Sequence, residues 1–152
     1  MNITIRQALK SDIPTIVRFN ALLASETENR FLDEQRLTRG IEALFDDPSK
    51  GLYYLAEVNN AVVGQTMITF EWSDWRNGTF WWIQSVYVEK AARGTGVFRA
   101  LFNHIHSLVT AHGDSCGLRL YVERNNNRAK QTYSRLGMKY SHYDLYEMDF
   151  VL

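Results

Sequence analysis

Residues 86–101 read V-Y-V-E-K-A-A-R-G-T-G-V-F-R-A-L, and this stretch constrains the chain more than any other. An apolar run at residues 83–88 stops at a short charged segment. The turn Arg93-Gly94-Thr95-Gly96 follows, and then Val97, Leu101, Ile105 and Leu108 recur at helical spacing. Strand, glycine turn and helix start make an anion site. The first amides of a helix lack intrahelical partners, and the macrodipole places partial positive charge on them. Glycines remove the Cβ atoms that would hold a phosphate off those amides. Arg93 adds a fork of donors suited to phosphate oxygens.

Spacing excludes two common phosphate loops. No Lys-Ser or Lys-Thr follows the glycines, as a P-loop requires. Arg99 stands where the dinucleotide fingerprint needs its third glycine. The glycines alone fit a plain strand-to-helix turn equally well.

A second segment, Asn126-Asn127-Arg128-Ala129 with Tyr133, Leu136, Gly137 and Met138, reads N-x-x-A-x-x-x-Y-x-x-L-G-M. Together with R-G-T-G-V it resembles the GNAT superfamily of N-acetyltransferases. The start, Ile3-Thr4-Ile5-Arg6-Gln7-Ala8 followed by Ser11-Asp12-Ile13, is similar to a GNAT amino terminus, so the resemblance spans the chain. Phe98 stands where the family usually carries glycine or alanine near the phosphates, so its ring must turn aside or reshape the pocket. Met138 replaces a phenylalanine, and Glu89 a common proline.

The resemblance implies acetyl-CoA as cofactor. Val86, Tyr87, Val88, Arg93, Gly94, Thr95, Gly96, Val97, Phe98, Asn126 and Tyr133 are its binding residues by this reading. A backbone amide of residues 86–88, where the family splays its sheet, would polarise the thioester carbonyl, and Asn126 would touch the pantetheine arm or cap its helix. Tyr133 takes the family's general-acid position; its spacing with Ala129 and Leu136 also fits a core tyrosine. The segment F-W-W-I-Q-S lacks the glutamate some members use as base; Glu71 is the candidate taken here, Asp74, Glu26 and Glu28 are the other available carboxylates, and the resemblance also allows a water chain in place of a dedicated base.

Phe70, Trp72, Trp75, Phe80, Trp81 and Trp82 crowd into residues 70–82, which hold all 4 tryptophans. Strand periodicity places Trp81 and Trp82 on opposite faces. With Glu71, Asp74 and Arg76 nearby, this is either a lined substrate pocket or a sheet face covered by helices or a second subunit. The acceptor-side candidates are Glu26, Glu28, Trp72, Asp74, Trp75, Trp82 and Gln84. Glu26 and Glu28 fall in a polar break, residues 25–30, expected between the first two helices, where they would attract a cation.

The periodicities give the order β-α-α-β-β-β-α-β-α-β, an α/β chain with a mixed sheet flanked by helices. Residues 52–58 and 61–72 form a hairpin about Asn59-Asn60, and residues 79–88 return. Residues 140–150 close the sheet with Tyr146, Met148 and Phe150 alternating. The 152 residues form one domain. Seventeen basic and 17 acidic residues cancel, which disfavours nucleic acid as a partner. The single Cys116 fits a reducing, cytoplasmic setting, and no apolar run reaches membrane-spanning length. His104 and His106 point to different helix faces, so no metal is expected.

The expected activity is direct acetyl transfer from acetyl-CoA to a primary amine of a small molecule or peptide. A non-catalytic acyl-CoA sensor with the same fold is the alternative. Only fifteen residues follow Gly137, which is short for two final strands. The open edge this leaves predicts a homodimer built on the carboxyl-terminal strand and some of Trp72, Trp75, Trp81 and Trp82.

Overall fold

The computed structural model describes residues 1–152, which divide into two compact units, Met1–Tyr121 and Val122–Leu152. In the first unit five strands form one sheet in sequence order: β1 (Ile3–Gln7), β2 (Leu52–Val58), β3 (Ala61–Ser73), β4 (Gly78–Val88) and β5 (Ser115–Leu120). The first four pair antiparallel, and β4 pairs β5 in parallel through the crossover helix α3 (Val97–Ala111). The β2–β3 turn is Asn59-Asn60, both with positive φ, the conformation that matches a hairpin's twist.

Alternation along β2 sorts the two layers. Tyr53 and Leu55 face α1 (Ile13–Glu28) and α2 (Glu34–Asp46), where Ile16, Val17, Ile41 and Leu44 complete a core cluster. Tyr54 points the other way and meets His104 of α3 at 5.4 Å between ring centroids. Val97 packs beside Gly64, and a Cβ there would stand 2.9 Å from the valine Cγ1. Asp33 caps α2 by accepting from the Arg36 N–H at 2.7 Å.

The polar break expected at residues 25–30 is helix as far as Glu28, and only Asn29 and Arg30 lie outside it. Ser25 Oγ donates to the Leu22 carbonyl and Thr27 Oγ1 to that of Leu23, so these polar side chains bond within the helix rather than competing with it. α1 therefore runs to Glu28 and ends on Asn29 at φ 48°. Glu26 and Glu28 sit in its last turns, not in a loop.

The second unit holds α4 (Asn127–Arg135), capped by the Asn126 side chain on the Ala129 N–H at 3.1 Å. The closing strand expected at residues 140–150 is not formed: no residue after Arg135 is in a strand or helix. The alternation of Tyr146, Met148 and Phe150 is therefore present in the sequence without a strand.

Candidate active site

The register of β3 and β4 breaks once. Gln65 lies opposite Tyr87 and Met67 opposite Gln84, so Ser85 and Val86 together face Thr66. This is a β-bulge, and Ser85 adopts φ 50°. Side chains of β3 hold it. Gln65 Nε2 donates to the Ser85 carbonyl at 3.1 Å, and Thr66 Oγ1 to the Gln84 carbonyl at 3.2 Å. Behind it, buried Tyr53 pairs with the Ser85 side chain and accepts from Asn20 at 3.1 Å.

Beyond the bulge β4 loses its outer neighbour, because β5 pairs with it only from Thr79 to Ile83. Glu89 donates its N–H to Val63 of β3, so by alternation Val88 and Val86 face away from β3. The Val88 carbonyl confirms this direction by accepting from Arg93 Nε at 2.8 Å. The amides of Val86 and Val88 thus lie along the edge that β5 has left.

The glycine turn follows directly. Gly94 and Gly96 have φ of 80° and 94°, values that side-chain-bearing residues rarely adopt. A Cβ at either would meet nothing within 4 Å, so the space before the turn is open. Thr95 Oγ1 closes the turn on the Ala92 carbonyl at 2.6 Å. The first intrahelical bond of α3 runs from Ala100 N to Gly96 O, and no side chain caps the helix. The N–H groups of Val97 and Arg99 therefore point out of the helix start. The Phe98 ring lies along the helix against Phe102, with centroids 6.3 Å apart.

Arg93 already has partners. Its Nη2 donates to Glu26 Oε2 at 2.6 Å, and its guanidinium lies 5.5 Å from the Tyr87 ring centroid. Tyr87 OH donates to Glu26 Oε1 at 3.2 Å, and Lys90 Nζ approaches the same oxygen at 3.7 Å. Arg93 holds the Glu26 carboxyl below the usual carboxylate range, while burial, reinforced by Glu26, raises the Tyr87 phenol. Glu26 is a neutralised anchor for the turn. Glu28 is exposed, two residues along the same helix end.

A second cluster covers the outer half of β3, β4 and β5. Glu71 Oε1 accepts from Arg119 Nη1 at 2.6 Å and from Trp82 Nε1 at 3.4 Å. The Arg119 guanidinium lies 3.6 Å from the Phe80 centroid. Trp82 stacks on Tyr121 at 4.4 Å and 29°. Gln84 Nε2 donates to Thr69 Oγ1 on this same face. Trp81 points oppositely, edge-on to Phe70 at 5.3 Å. Trp72 and Trp75 are exposed at the β3–β4 hairpin, and Asp74 accepts there from the Trp75 N–H. In the second unit Tyr133 is half-buried on α4, and burial raises its phenol above the ordinary 10.0.

A profile of the acetyltransferase (GNAT) family matches residues 17–138, most of the chain. The chain belongs to the GNAT acetyltransferase family. A possible acetyltransferase from Clostridium difficile 630, of solved structure, shares 47% identity with this family member over 100% of both chains, with a TM-score of 0.91. A predicted acetyltransferase from Clostridium acetobutylicum, solved with acetyl-CoA, shares the fold at 19% identity and TM-score 0.78, over 97% of this chain and 96% of that one. Mycothiol acetyltransferase of Mycolicibacterium gilvum (strain PYR-GCK) is 32% identical over 95 residues, 60% of this chain. The chain spans only 30% of that relative's length.

The sequence of this family member did not mark Arg119, Tyr121, Ser85 and Gln65 for the site. Arg119 and Tyr121 are two apart on and just past β5, so they share the face of Trp82, opposite Arg119 in the register. An arginine and a tyrosine alternating with leucines (L-R-L-Y) were the available signal. Nothing in the local sequence marks the bulge at Ser85, because its partners come from β3.

Proposed function

We propose that this protein moves an acetyl group from acetyl-CoA to a primary amine of a small molecule or peptide, by direct transfer with both substrates bound. The observation that carries this reading is the succession, within the fourteen residues 86–99, of a bulged strand edge and an uncapped helix start. Val86 and Val88 offer edge amides, and Val97 and Arg99 offer helix-start amides behind an open glycine turn. A pyrophosphate suits the second set and a carbonyl the first. The family membership, and the acetyl-CoA held by the Clostridium acetobutylicum protein, support the choice of cofactor. Residues 1–152 act as one acetyltransferase domain in this reading.

Bound acetyl-CoA supplies the acetyl group as an activated thioester. The residues of the chain do the rest. Val97, Phe98, Arg99 and the Gly94–Thr95–Gly96 turn hold phosphate oxygens, with Arg93 fixing the turn's shape. A Val86 or Val88 N–H donates to the thioester carbonyl, a fixed dipole that needs no reorganisation. Asn126 keeps α4 capped, and Tyr133, kept protonated by burial, gives a proton to the departing sulfur. Trp82 and Gln84 floor the acceptor side, with Glu28, Trp72, Asp74 and Trp75 at its borders. Glu71 has one oxygen committed to Arg119 and Trp82, so its part is to hold that floor, and Oε2 alone remains for a base role.

Purified protein incubated with acetyl-CoA and a panel of amines tests the reading. Release of free CoA thiol that depends on an amine is the expected result. Acetyl-CoA binding by calorimetry without turnover on any amine would instead make the chain a binding module.

A further inference from the structure

We propose that Gln65 is the positioning residue of the thioester site: from within the core it holds the Ser85–Val86 peptide so that the Val86 N–H is presented to the thioester carbonyl. This role rests on the reading that an edge amide of β4 polarises that carbonyl, and it names the side chain that aims the amide.

The geometry is that of one peptide plane. Gln65 Nε2 donates to the Ser85 carbonyl at 3.1 Å. No peptide bond of the chain is cis, so the Ser85 C=O and the Val86 N–H share a plane and point in opposite directions. Holding the carbonyl toward β3 therefore turns the Val86 N–H away from β3, onto the stretch of β4 that β5 does not pair. The preceding carbonyl, that of Gln84, accepts from Thr66 Oγ1 at 3.2 Å. Successive residues of a strand point to opposite faces, so the two carbonyls are gripped from both faces of the sheet.

Serine does not adopt this backbone unaided. Ser85 has φ 50°, in the left-handed region that favours glycine. Such a conformation persists where the surroundings over-determine it. Buried Tyr53 pairs with the Ser85 side chain, and its hydroxyl accepts from Asn20 Nδ2 at 3.1 Å. The same Asn20 Nδ2 donates to the Ile16 carbonyl at 3.0 Å, which fixes it on α1. α1 also carries Glu26, the anchor of Arg93. One helix thus sets the bulge and the glycine turn against each other.

Stability does not explain the glutamine. Gln65 is fully buried, lies opposite Leu55 in the register, and its Oε1 has no hydrogen-bond partner. An unpaired buried acceptor destabilises, and an apolar side chain of similar shape would avoid that. What the glutamine adds is its bond to Ser85. A residue that lowers stability while aiming a dipole at a reacting atom is placed for chemistry.

Gln65→Met and Gln65→Leu remove both the donor and the unpaired acceptor. Acetyl-CoA labelled with carbon-13 at the thioester carbonyl supplies the readout, by difference infrared spectroscopy. Bound to wild type, its carbonyl stretch should lie below the value in buffer, and the variants should return it toward that value. With an amine that the wild type acetylates, kcat should fall at least tenfold while the KM for acetyl-CoA stays within about threefold. The free variants should melt at or above the wild-type temperature. Ser85→Gly, added to Gln65→Met, removes the barrier to positive φ and should recover part of the infrared shift. A lowered wild-type band that Gln65→Met restores, without turnover on any amine, upholds the positioning role and sinks the transfer reading instead. A wild-type band at the buffer value overturns the proposal. So does a folded variant with wild-type band and kcat, and so does the unfolding of both variants, which would make Gln65 a structural requirement.

Discussion

Arg93 divides its guanidinium between two elements: Nη2 reaches the Glu26 carboxylate at 2.6 Å, and Nε the Val88 carbonyl at 2.8 Å. One side chain thus ties the end of α1 to the end of β4 and sets the glycine turn between β4 and α3. The arginine of an R-G-x-G turn is easily read as a phosphate ligand. Here its fork is engaged before any phosphate is considered, and the turn's own amides are the donors in reserve.

Glu26→Gln tests this division. The variant keeps a hydrogen-bonding side chain but leaves Arg93 and Lys90 without a neutralising carboxylate. Cofactor affinity should rise twofold to tenfold, read by calorimetry, as the added positive field favours a phosphate. Stability at pH 7 should fall by about 0.5–1 kcal/mol, since the pair is partly exposed and screened. The Glu26 carboxyl is lowered by Arg93, so its contribution is complete above the ordinary value of 4.5 and is lost as pH falls through the lower folded-state value. Urea melts should therefore separate wild type and variant at pH 6–7 and converge in strong acid. Parallel curves at every pH would remove Glu26 from the account.

Gly96 has φ 94° and open space before it. Gly96→Asp and Gly96→Asn place side chains of equal size at a backbone conformation both tolerate better than other residues do. Only the aspartate brings negative charge to the start of α3. Gly96→Asp should weaken acetyl-CoA binding at least tenfold, about 1.4 kcal/mol, with Gly96→Asn well above it in affinity. Equal affinities for the two variants would mean that charge at this turn is irrelevant.

Gly117 carries a different constraint. A Cβ there would lie 2.7 Å from Phe80 Cε1, and Phe80 is the ring on which Arg119 rests. Gly117→Ala must move that ring, at a cost of about 1–3 kcal/mol in an overpacked site. Arg119, and through it Glu71 and Trp82, should shift as well. The expected signature is a raised acceptor KM with the acetyl-CoA KM unchanged. An acceptor KM equal to wild type, in a variant of lowered stability, would detach this cluster from acceptor binding.

Much of the fold was legible because its signals are local. Asn59-Asn60 fixes the β2–β3 hairpin by its own backbone preference, Asp33 and Asn126 cap their helices within one turn, and Trp81 and Trp82 separate by simple alternation. What escaped depends on partners distant in sequence. Ser25 and Thr27 read as a break until their hydroxyls find carbonyls within α1. The Ser85 bulge rests on Gln65 and Thr66, twenty and eighteen residues away from the carbonyls they hold. Glu26 and Arg93, which look like separate acceptor and phosphate residues, are |i−j| = 67 apart and neutralise one another. The segment after α4 shows the converse, an alternating pattern legible in sequence that forms no strand.

Tyr133 carries the remaining prediction. Its position in N-x-x-A-x-x-x-Y, its half-burial and its raised phenol are properties of an acid that stays protonated through neutral pH. Tyr133→Phe keeps the ring and its packing and removes only the hydroxyl. If the phenol protonates the departing sulfur in the rate-limiting step, kcat should fall by roughly 10²–10⁴ while the KM for acetyl-CoA changes little. Thermal melts should place the variant close to wild type. The pH profile adds a second reading: the wild type should lose activity only as pH passes above the ordinary tyrosine value of 10.0, and the residual activity of Tyr133→Phe should lack that descent. A Tyr133→Phe enzyme with wild-type kcat would return Tyr133 to a packing role and leave protonation of the thiolate to solvent.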